Sequence, residues 1–341
     1  LHIAPTLPDF LQKHPRVQLS ISLTDDFVDI VGERIDVAIR GGTVVTGTGE
    51  PFVGDIGVRG ERIVYLGPHA PTAATEVQAR GMVVAPGFID PHTHADAMLA
   101  SRSARERLVP PFLMQGVTTA FVGNDGDGAP ELPTLRTDAT GINHAAYVGF
   151  GAVRTRVLGE ARRAPDGREL ARMQGLVAGA MCRGALGLST GLFYAPQSFA
   201  ATEEVVALAR VAAAHGGVYD SHLRDESSYT IGLEAAVAEA LRIGREARLS
   251  VNISHIKALG ADVQGRAGAV IAQVEQAQAA GQRVTADQYP WNASGTSLVA
   301  ALVPLPAQDG GRQGLLRRLD VPAERATIER GMSENLRRRG G

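Results

Sequence analysis

The chain has 341 residues and a mass of 35.8 kDa, enough for two domains or one large barrel at about 150 residues per domain. Hydrophobic residues make up 44% and charged residues 21%, which excludes wholesale disorder and leaves enough apolar surface for a large core. With 34 basic and 36 acidic side chains the net charge is −2, which argues against nucleic acid as a partner, and the single cysteine, Cys182, excludes a disulfide framework or a multi-cysteine metal cluster.

Residues 1–40 read as strand, helix, strand, helix, strand: Leu7, Phe10 and Leu11 have helical spacing, Val17 to Leu23 alternates, Thr24 or Asp25 can cap a helix through Phe27, Ile30 and Val31, and Asp36 to Arg40 is strand-like. Residues 41–86 carry short β-runs, Thr43–Thr46, Gly54–Arg59, Arg62–Gly67, Thr75–Ala79 and Met82–Ala85, separated by glycine turns, and predict a small all-β element. From Gly87 onward seven β-runs alternate with helices: Gly87–Asp90, Thr118–Val122, His144–Gly149, Ala185–Ser189, Val218–Ser221, Ser250–Ser254 and Arg283–Asp287. Helices are predicted over Glu203–His215, Ile231–Ala247 and Ala269–Ala280. That alternation predicts a parallel sheet or barrel. The tail from Asp309 to Gly341 is rich in Arg and Gly and reads as a frayed, polar helix. No apolar run reaches the roughly 18 residues of a membrane-spanning helix, and LHIAPTLPDF has neither the basic nor the apolar region of a signal peptide, so a cytoplasmic chain away from membranes is expected.

Histidines mark the ends of the strands. His92 and His94, in GFIDPHTH, are two apart, so strand geometry aims both imidazoles the same way. His222, in YDSHLRDE, follows the fifth run, and His255, in NISHIK, follows the sixth. In a (β/α)8 barrel that end is the catalytic face, and imidazole is a common zinc ligand. His2, His14, His69, His144 and His215 share no such pattern. Cys182, in the helix-like AGAMCRGALG, is expected in the core.

From about Asp36 the chain resembles the amidohydrolase superfamily, and within it the N-acyl-D-amino-acid deacylases (D-aminoacylases). The motifs AIRGGTVVTGTG, APGFIDPHTHAD, LMQGVTTAFVGNDG, STGLFYAP, DSHLRDES, SHIK and DQYPWNASGT carry the resemblance in the family's order. It implies an α/β fold in which a small β-sandwich accompanies a (β/α)8 TIM barrel. It also implies one or two zinc ions, or another divalent metal, held by His92, His94, His222 and His255. Asp125 stands where the family typically carries a zinc-binding cysteine; a carboxylate also binds zinc, at about 2.0–2.2 Å, and makes a harder site that suits manganese or iron as well. Asp127 reads as a turn residue, since GNDGDG lacks the ligand spacing of a calcium loop. For the substrate the resemblance implies Lys257 on the α-carboxylate, with Tyr194, Tyr289 and Ser294 nearby. Arg224, Asp225 and Glu226 either orient His222 or, as the favoured reading, form ordinary surface charge pairs.

The implied reaction is metal-assisted hydrolysis of an N-acyl-D-amino acid to a carboxylic acid and a D-amino acid. The family's proton-transfer aspartate follows an eighth strand. After Trp291 neither an eighth β-run nor an aspartate following one is found, so the barrel is expected to be incomplete, with seven strands, and the activity impaired. Asp287, in DQYP, reads as a supporting partner of the site instead. A dihydroorotase- or hydantoinase-type enzyme is the runner-up, disfavoured because the fourth run, ALGLSTGL, lacks the lysine that such enzymes carboxylate. Residues 1–40 resemble part of the effector-binding domain of LysR-type regulators, without a DNA-binding helix-turn-helix, so a fusion is expected, with a non-catalytic ligand-binding fragment as the remaining alternative.

Overall fold

In the computed structural model, which describes residues 35–132 and 140–340, the glycine-punctuated β-runs before Gly87 form one mixed sheet. Its strands are β1 (Ile35–Val44), β2 (Phe52–Arg59), β3 (Arg62–Gly67), β4 (Ala73–Gln78) and β5 (Val83–Val84). They run in the order β3-β2-β1-β4, with β5 also beside β1. β1 pairs antiparallel with β2 and parallel with β4. Asp55 ties the sheet to its turns: it accepts from the backbone N–H groups of Gly41 (2.8 Å) and Ala70 (3.0 Å) and from Arg40 Nη1 (3.0 Å). The domain boundary read at 40/41 falls inside β1, where Val37 to Ile39 already pair with β2 and β4, so residues 35–40 belong to this sheet. The rest of the LysR-like segment, residues 1–34, lies outside the described residues.

The chain divides into two compact units at Pro86/Gly87. The second is an α/β unit with two parallel sheets. One holds β6 (Phe88–Asp90), β7 (Val117–Val122) and β8 (Asn143–Ala146), in that order. The other holds β9 (Val148–Gly149), β10 (Gly187–Gly191), β11 (Val218–His222), β12 (Val251–Ile253) and β13 (Val284–Ala286), again in chain order. Tyr147 alone separates β8 from β9, so both lie in the one run expected over His144–Gly149. Short helices α1 (Asp96–Leu99), α2 (Ala104–Arg107) and α3 (Pro110–Leu113) follow β6. The long helices are α4 (Phe150–Leu158), α5 (Gly167–Cys182), α6 (Thr202–Ala214), α7 (Leu233–Ala247) and α8 (Ala267–Ala279).

The two-residue period of the strands separates apolar from polar chemistry. Leu188, Tyr219, Val251 and Val284 stand in register across β10 to β13 and are buried in the main core with Val205 and Leu208 of α6 and Val237 and Ile243 of α7. One step along, Ser189, Asp220, Asn252 and Thr285 form a polar row. His222 lies two residues beyond Asp220 and so shares its side of the strand.

Two expectations fail. The tail is not frayed: α9 (Leu298–Leu302) is followed by α10 (Gly311–Leu319) and α11 (Pro322–Arg338). Val303, Ala307, Leu315 and Ile328 form a small core of their own there, and Asp309 accepts from the N–H of Arg162 at 2.8 Å, so residues 309–341 are no separate polar tail. The abundance of arginine obscured a sparse apolar stripe. Cys182 is exposed, because it lies off the face of α5 that buries Met173, Val177 and Ala180.

Arg154 of α4 is fully buried and faces the buried Glu204 of α6, with Nε 3.3 Å from Oε1; its Nη2 donates to the Arg163 carbonyl at 2.6 Å. Removing one member of a buried charge pair leaves the other uncompensated, whereas replacing both by apolar groups is close to neutral. Glu204→Leu is therefore expected to lower stability by about 3 kcal/mol or more, and Arg154→Met/Glu204→Leu to recover most of that loss. Urea denaturation checks this; a double variant as unstable as the single one contradicts it.

Candidate metal centre

The site is built where the parallel strands of the second unit end. His92 and His94 follow β6, Asp125 sits in the turn after β7, His222 is the last residue of β11, and His255 lies just beyond β12. The structure brings all five together around one carboxylate. Asp125 Oδ1 is 3.6 Å from His92 Nε2, 3.6 Å from His222 Nδ1 and 3.6 Å from His255 Nε2, while Oδ2 is 3.5 Å from His94 Nε2. All but His94 are largely buried.

The turn that presents Asp125 is held against its own preference. Asp125 has φ 56° and ψ 19°, in the left-handed region, which costs an ordinary residue roughly 1–2 kcal/mol and which aspartate tolerates better than most. Its carbonyl accepts from Gln197 Nε2 at 2.9 Å, and Gln197 Oε1 accepts in turn from the N–H of Gly191 at 2.7 Å. The next N–H, of Gly126, donates to Ser189 Oγ at 3.1 Å. A Cβ on Gly191 would stand 2.3 Å from the Asp125 carbonyl oxygen, so only glycine lets the two loops approach. His255 also has a positive φ, 37°, and its N–H donates to Asp287 Oδ1 at 2.6 Å.

The donor set fits a divalent ion. His222 Nδ1 and Asp125 Oδ1, 3.6 Å apart, are buried and have no hydrogen-bond partner. Two sets of potential ligand atoms, His92 with His94 and Asp125, and Asp125 with His222 and His255, each lie within 4.8 Å of one another. Ligands held about 2.0–2.2 Å from a tetrahedral ion stand about 3.3–3.6 Å apart, which the distances from Asp125 match. Burial pushes His92 down to about 4, leaving a neutral imidazole with a free lone pair. Burial opposes ionisation of Asp125 too, but His222, His255 and His94 outweigh it and hold the carboxyl far below its usual range.

The surroundings of His255 correct the sequence reading. Burial works against its charge, but Asp125 and Glu226 raise it to about 9, with Glu226 Oε1 only 3.1 Å from Nδ1. Glu226 is buried, not a surface charge, and it faces His255 instead of orienting His222. Arg224 pairs with Glu239 at 2.8 Å and donates to the Ser198 and Ala200 carbonyls, and buried Asp225 accepts from the N–H groups of Ser227 and Gly232. None of the three is an ordinary surface pair. Lys257 lies beside His255 as expected, but its Nζ is 2.6 Å from Glu226 Oε1, 2.8 Å from the His255 carbonyl and 2.8 Å from His255 Nδ1.

A cavity of about 710 Å³ opens onto the cluster, and Tyr194, Tyr289, Lys257 and Ser294 all line it. The Tyr289 hydroxyl is buried without a hydrogen-bond partner, whereas the Tyr194 hydroxyl accepts from Thr296 at 3.4 Å and its ring lies 4.8 Å from that of His222. Ser294 is exposed on the rim. Sequence reasoning missed Asp220, which is fully buried and accepts from Asn252 (2.9 Å), Ser254 (2.9 Å) and Asn124 (3.1 Å); burial pushes it up to about 7. With His92 and Asp287 it makes a third group able to hold an ion. Its signal was present, two residues before His222 on one strand. Gln197 carried none.

Comparison with known proteins agrees with this geometry. Residues 75–297 match the profile of the family described as "Amidohydrolase family". The chain is 38% identical over 295 residues to a D-aminoacylase of Alcaligenes xylosoxydans xylosoxydans, covering 78% of this chain and 59% of that protein, so it spans about three fifths of the relative's length. A crystal structure of D-aminoacylase superimposes with a TM-score of 0.71 at 33% identity, covering 86% of this chain and 68% of the other. N-acyl-D-glutamate deacylase from Bordetella bronchiseptica, solved with zinc and a phosphonate mimic of the tetrahedral intermediate, gives 0.69 at 31% identity, covering 90% and 70%.

Zinc titration of metal-free protein against a chelator tests the cluster. Asp125→Ala and His222→Ala are each expected to weaken binding by about 100-fold or more, and Glu226→Gln by about 10-fold through its hold on His255. Unchanged affinity in Asp125→Ala places the metal elsewhere.

Proposed function

Because the chain belongs to the amidohydrolase family, in its D-aminoacylase branch, we propose that it is a metal-dependent hydrolase that removes the acyl group from N-acyl-D-amino acids. The observation that carries this reading is the convergence of His92, His94, His222 and His255 on the Asp125 carboxylate at one end of a cavity with an unpartnered phenol, Tyr289, in its wall. We read the two parallel sheets as a seven-strand arc of a (β/α)8 barrel, with β8 and β9 counted as one, and the mixed sheet as part of the accompanying β-sandwich. Among the described residues no strand follows β13.

His92, His94, Asp125, His222 and His255 would hold the ion, which supplies Lewis-acid polarisation of a carbonyl and makes hydroxide accessible near neutral pH. The protein's own groups hold and orient the ion and the substrate. Glu226 beside Nδ1 turns Nε2 of His255 toward the cluster, and Asp287 fixes the backbone of the same residue. Tyr289 has a hydroxyl hydrogen free for a substrate oxygen. The rings of Tyr194 and Phe193, packed beside His222, wall the reacting carbonyl from water, and Ser294 contacts the substrate at the rim.

A hydantoinase-type bridge has no place in this site. β10 reads Gly-Leu-Ser-Thr-Gly, is buried throughout and offers no lysine.

Zinc-loaded protein is expected to hydrolyse N-acetyl-D-amino acids at least about 10-fold faster than their L-enantiomers, and His92→Ala to lose about 100-fold or more of that rate. Liberated amine, assayed with and without chelator, measures both. Turnover that survives chelation, or that prefers the L-series, would falsify the deacylase reading.

A further inference from the structure

The candidate ligands come from four separate segments of the chain, so their spacing has to be fixed by something other than the ion. The residues beside them share one hydrogen-bond network. Asp220, on β11 two residues before His222, is fully buried. Its Oδ1 accepts from Ser254 Oγ (2.9 Å) and Asn252 Nδ2 (2.9 Å), and its Oδ2 accepts from Asn124 Nδ2 (3.1 Å). Ser254 immediately precedes His255, and Asn124 immediately precedes Asp125. The same Asn124 amide donates to the carbonyl of Pro91 at 3.3 Å, and Pro91 immediately precedes His92. Asn252 Nδ2 donates a second bond, to Asp287 Oδ2 at 2.6 Å, and Asp287 Oδ1 accepts from the N–H of His255 at 2.6 Å. His92, Asp125, His222 and His255 are thus each one or two residues from a member of the network, whereas the exposed His94 is not.

Both amides are held in one orientation. Thr285 Oγ1 donates to Asn252 Oδ1 at 2.9 Å, which turns its Nδ2 toward the two carboxylates. Asn124 is buried with its Oδ1 unpartnered, an arrangement that costs roughly 1–3 kcal/mol and is offset by two acceptors on the Nδ2 side. His92, Asp220 and Asp287 stand close enough to share an ion, but every oxygen of the two carboxylates already accepts from a protein donor. Their hold is on the segments that carry the ligands. A buried polar network satisfied in this way is rigid.

We propose that Asp220 is a positioning residue, the hub through which one network sets the spacing of His92, Asp125, His222 and His255 and thereby the metal affinity of the centre. This rests on the metal-dependent reading but not on the identity of the substrate. All three groups bonded to Asp220 among the described residues are donors, so an asparagine there must turn its own N–H₂ toward one of them, and that buried donor loses its acceptor.

The test is zinc affinity of the full chain by chelator competition, with the visible absorption of the cobalt(II)-loaded protein as a reporter of ligand geometry. Asp220→Asn is expected to weaken zinc binding by about 10- to 100-fold and to alter the cobalt bands. Asn124→Ala and Ser254→Ala, which each cut one arm and keep the test open if Asp220→Asn does not fold, should each cost about 3- to 10-fold. Asp220→Asn/Asn124→Ala should lose less than the product of the two single losses, since both act on one network. Glu204→Leu, destabilised at the buried pair with Arg154, is the stability control and should bind both metals as wild type does. Wild-type zinc affinity and cobalt bands in Asp220→Asn, or in both single-arm variants, overturn the proposal, as does an equal loss in Glu204→Leu. A wild type that binds no zinc removes the metal centre and the proposal together. If zinc affinity depends on Asp220 as expected but no N-acyl-D-amino acid is hydrolysed, the positioning role stands and the deacylase reading falls.

Discussion

The site depends on one buried carboxylate facing four imidazoles. Asp125 supplies the negative charge that faces His94, His222 and His255, and it does so from a left-handed backbone held by Gln197 from the turn after β10 and, through the next N–H, by Ser189 of β10. A carboxylate alone in that position would be costly to bury. Surrounded by lone pairs and hydrogens that need a partner, it becomes the centre of a ligand set. Backbone strain and desolvation are therefore spent at the place where chemistry is expected, and the apolar packing of strands against α6 and α7 bears that cost.

Parallel strands make such convergence possible. They end at the same side, and five of them deliver one or two side chains there: His92 and His94 follow β6, Asp125 follows β7, His222 ends β11, His255 follows β12 and Asp287 follows β13. Beneath them lies the polar row of Ser189, Asp220, Asn252 and Thr285, with Asp220 accepting from Asn252 and Ser254 at β12 and from Asn124 after β7. Glu226 and Lys257 pair beside the ligands, 2.6 Å apart.

Much of this was legible in the linear chain. The seven β-runs reappear as strands, with ends displaced by a few residues, because alternation is a local property. The four strand-terminal histidines and Asp125 could be named because strand geometry and motif order both point at one end of the sheet. Glu226 was misjudged because DSHLRDES looks like a solvated charge run; only the tertiary path of the loop reveals that it is buried. The tail was misjudged because its apolar residues are few, and a helix with little amphipathic signal forms when neighbours complete its core.

By itself, then, the sequence determined the alternating α/β layout and the placement of the candidate ligand residues at strand ends, since these follow from periods of two and 3.6 residues and from side-chain chemistry. The tertiary structure alone decided which charges are paired. Whether Lys257 is free or bound to Glu226, and whether Asp220 is buried, are matters of distance and solvent exclusion. Electrostatic energy depends on both, and neither is written in the order of the residues.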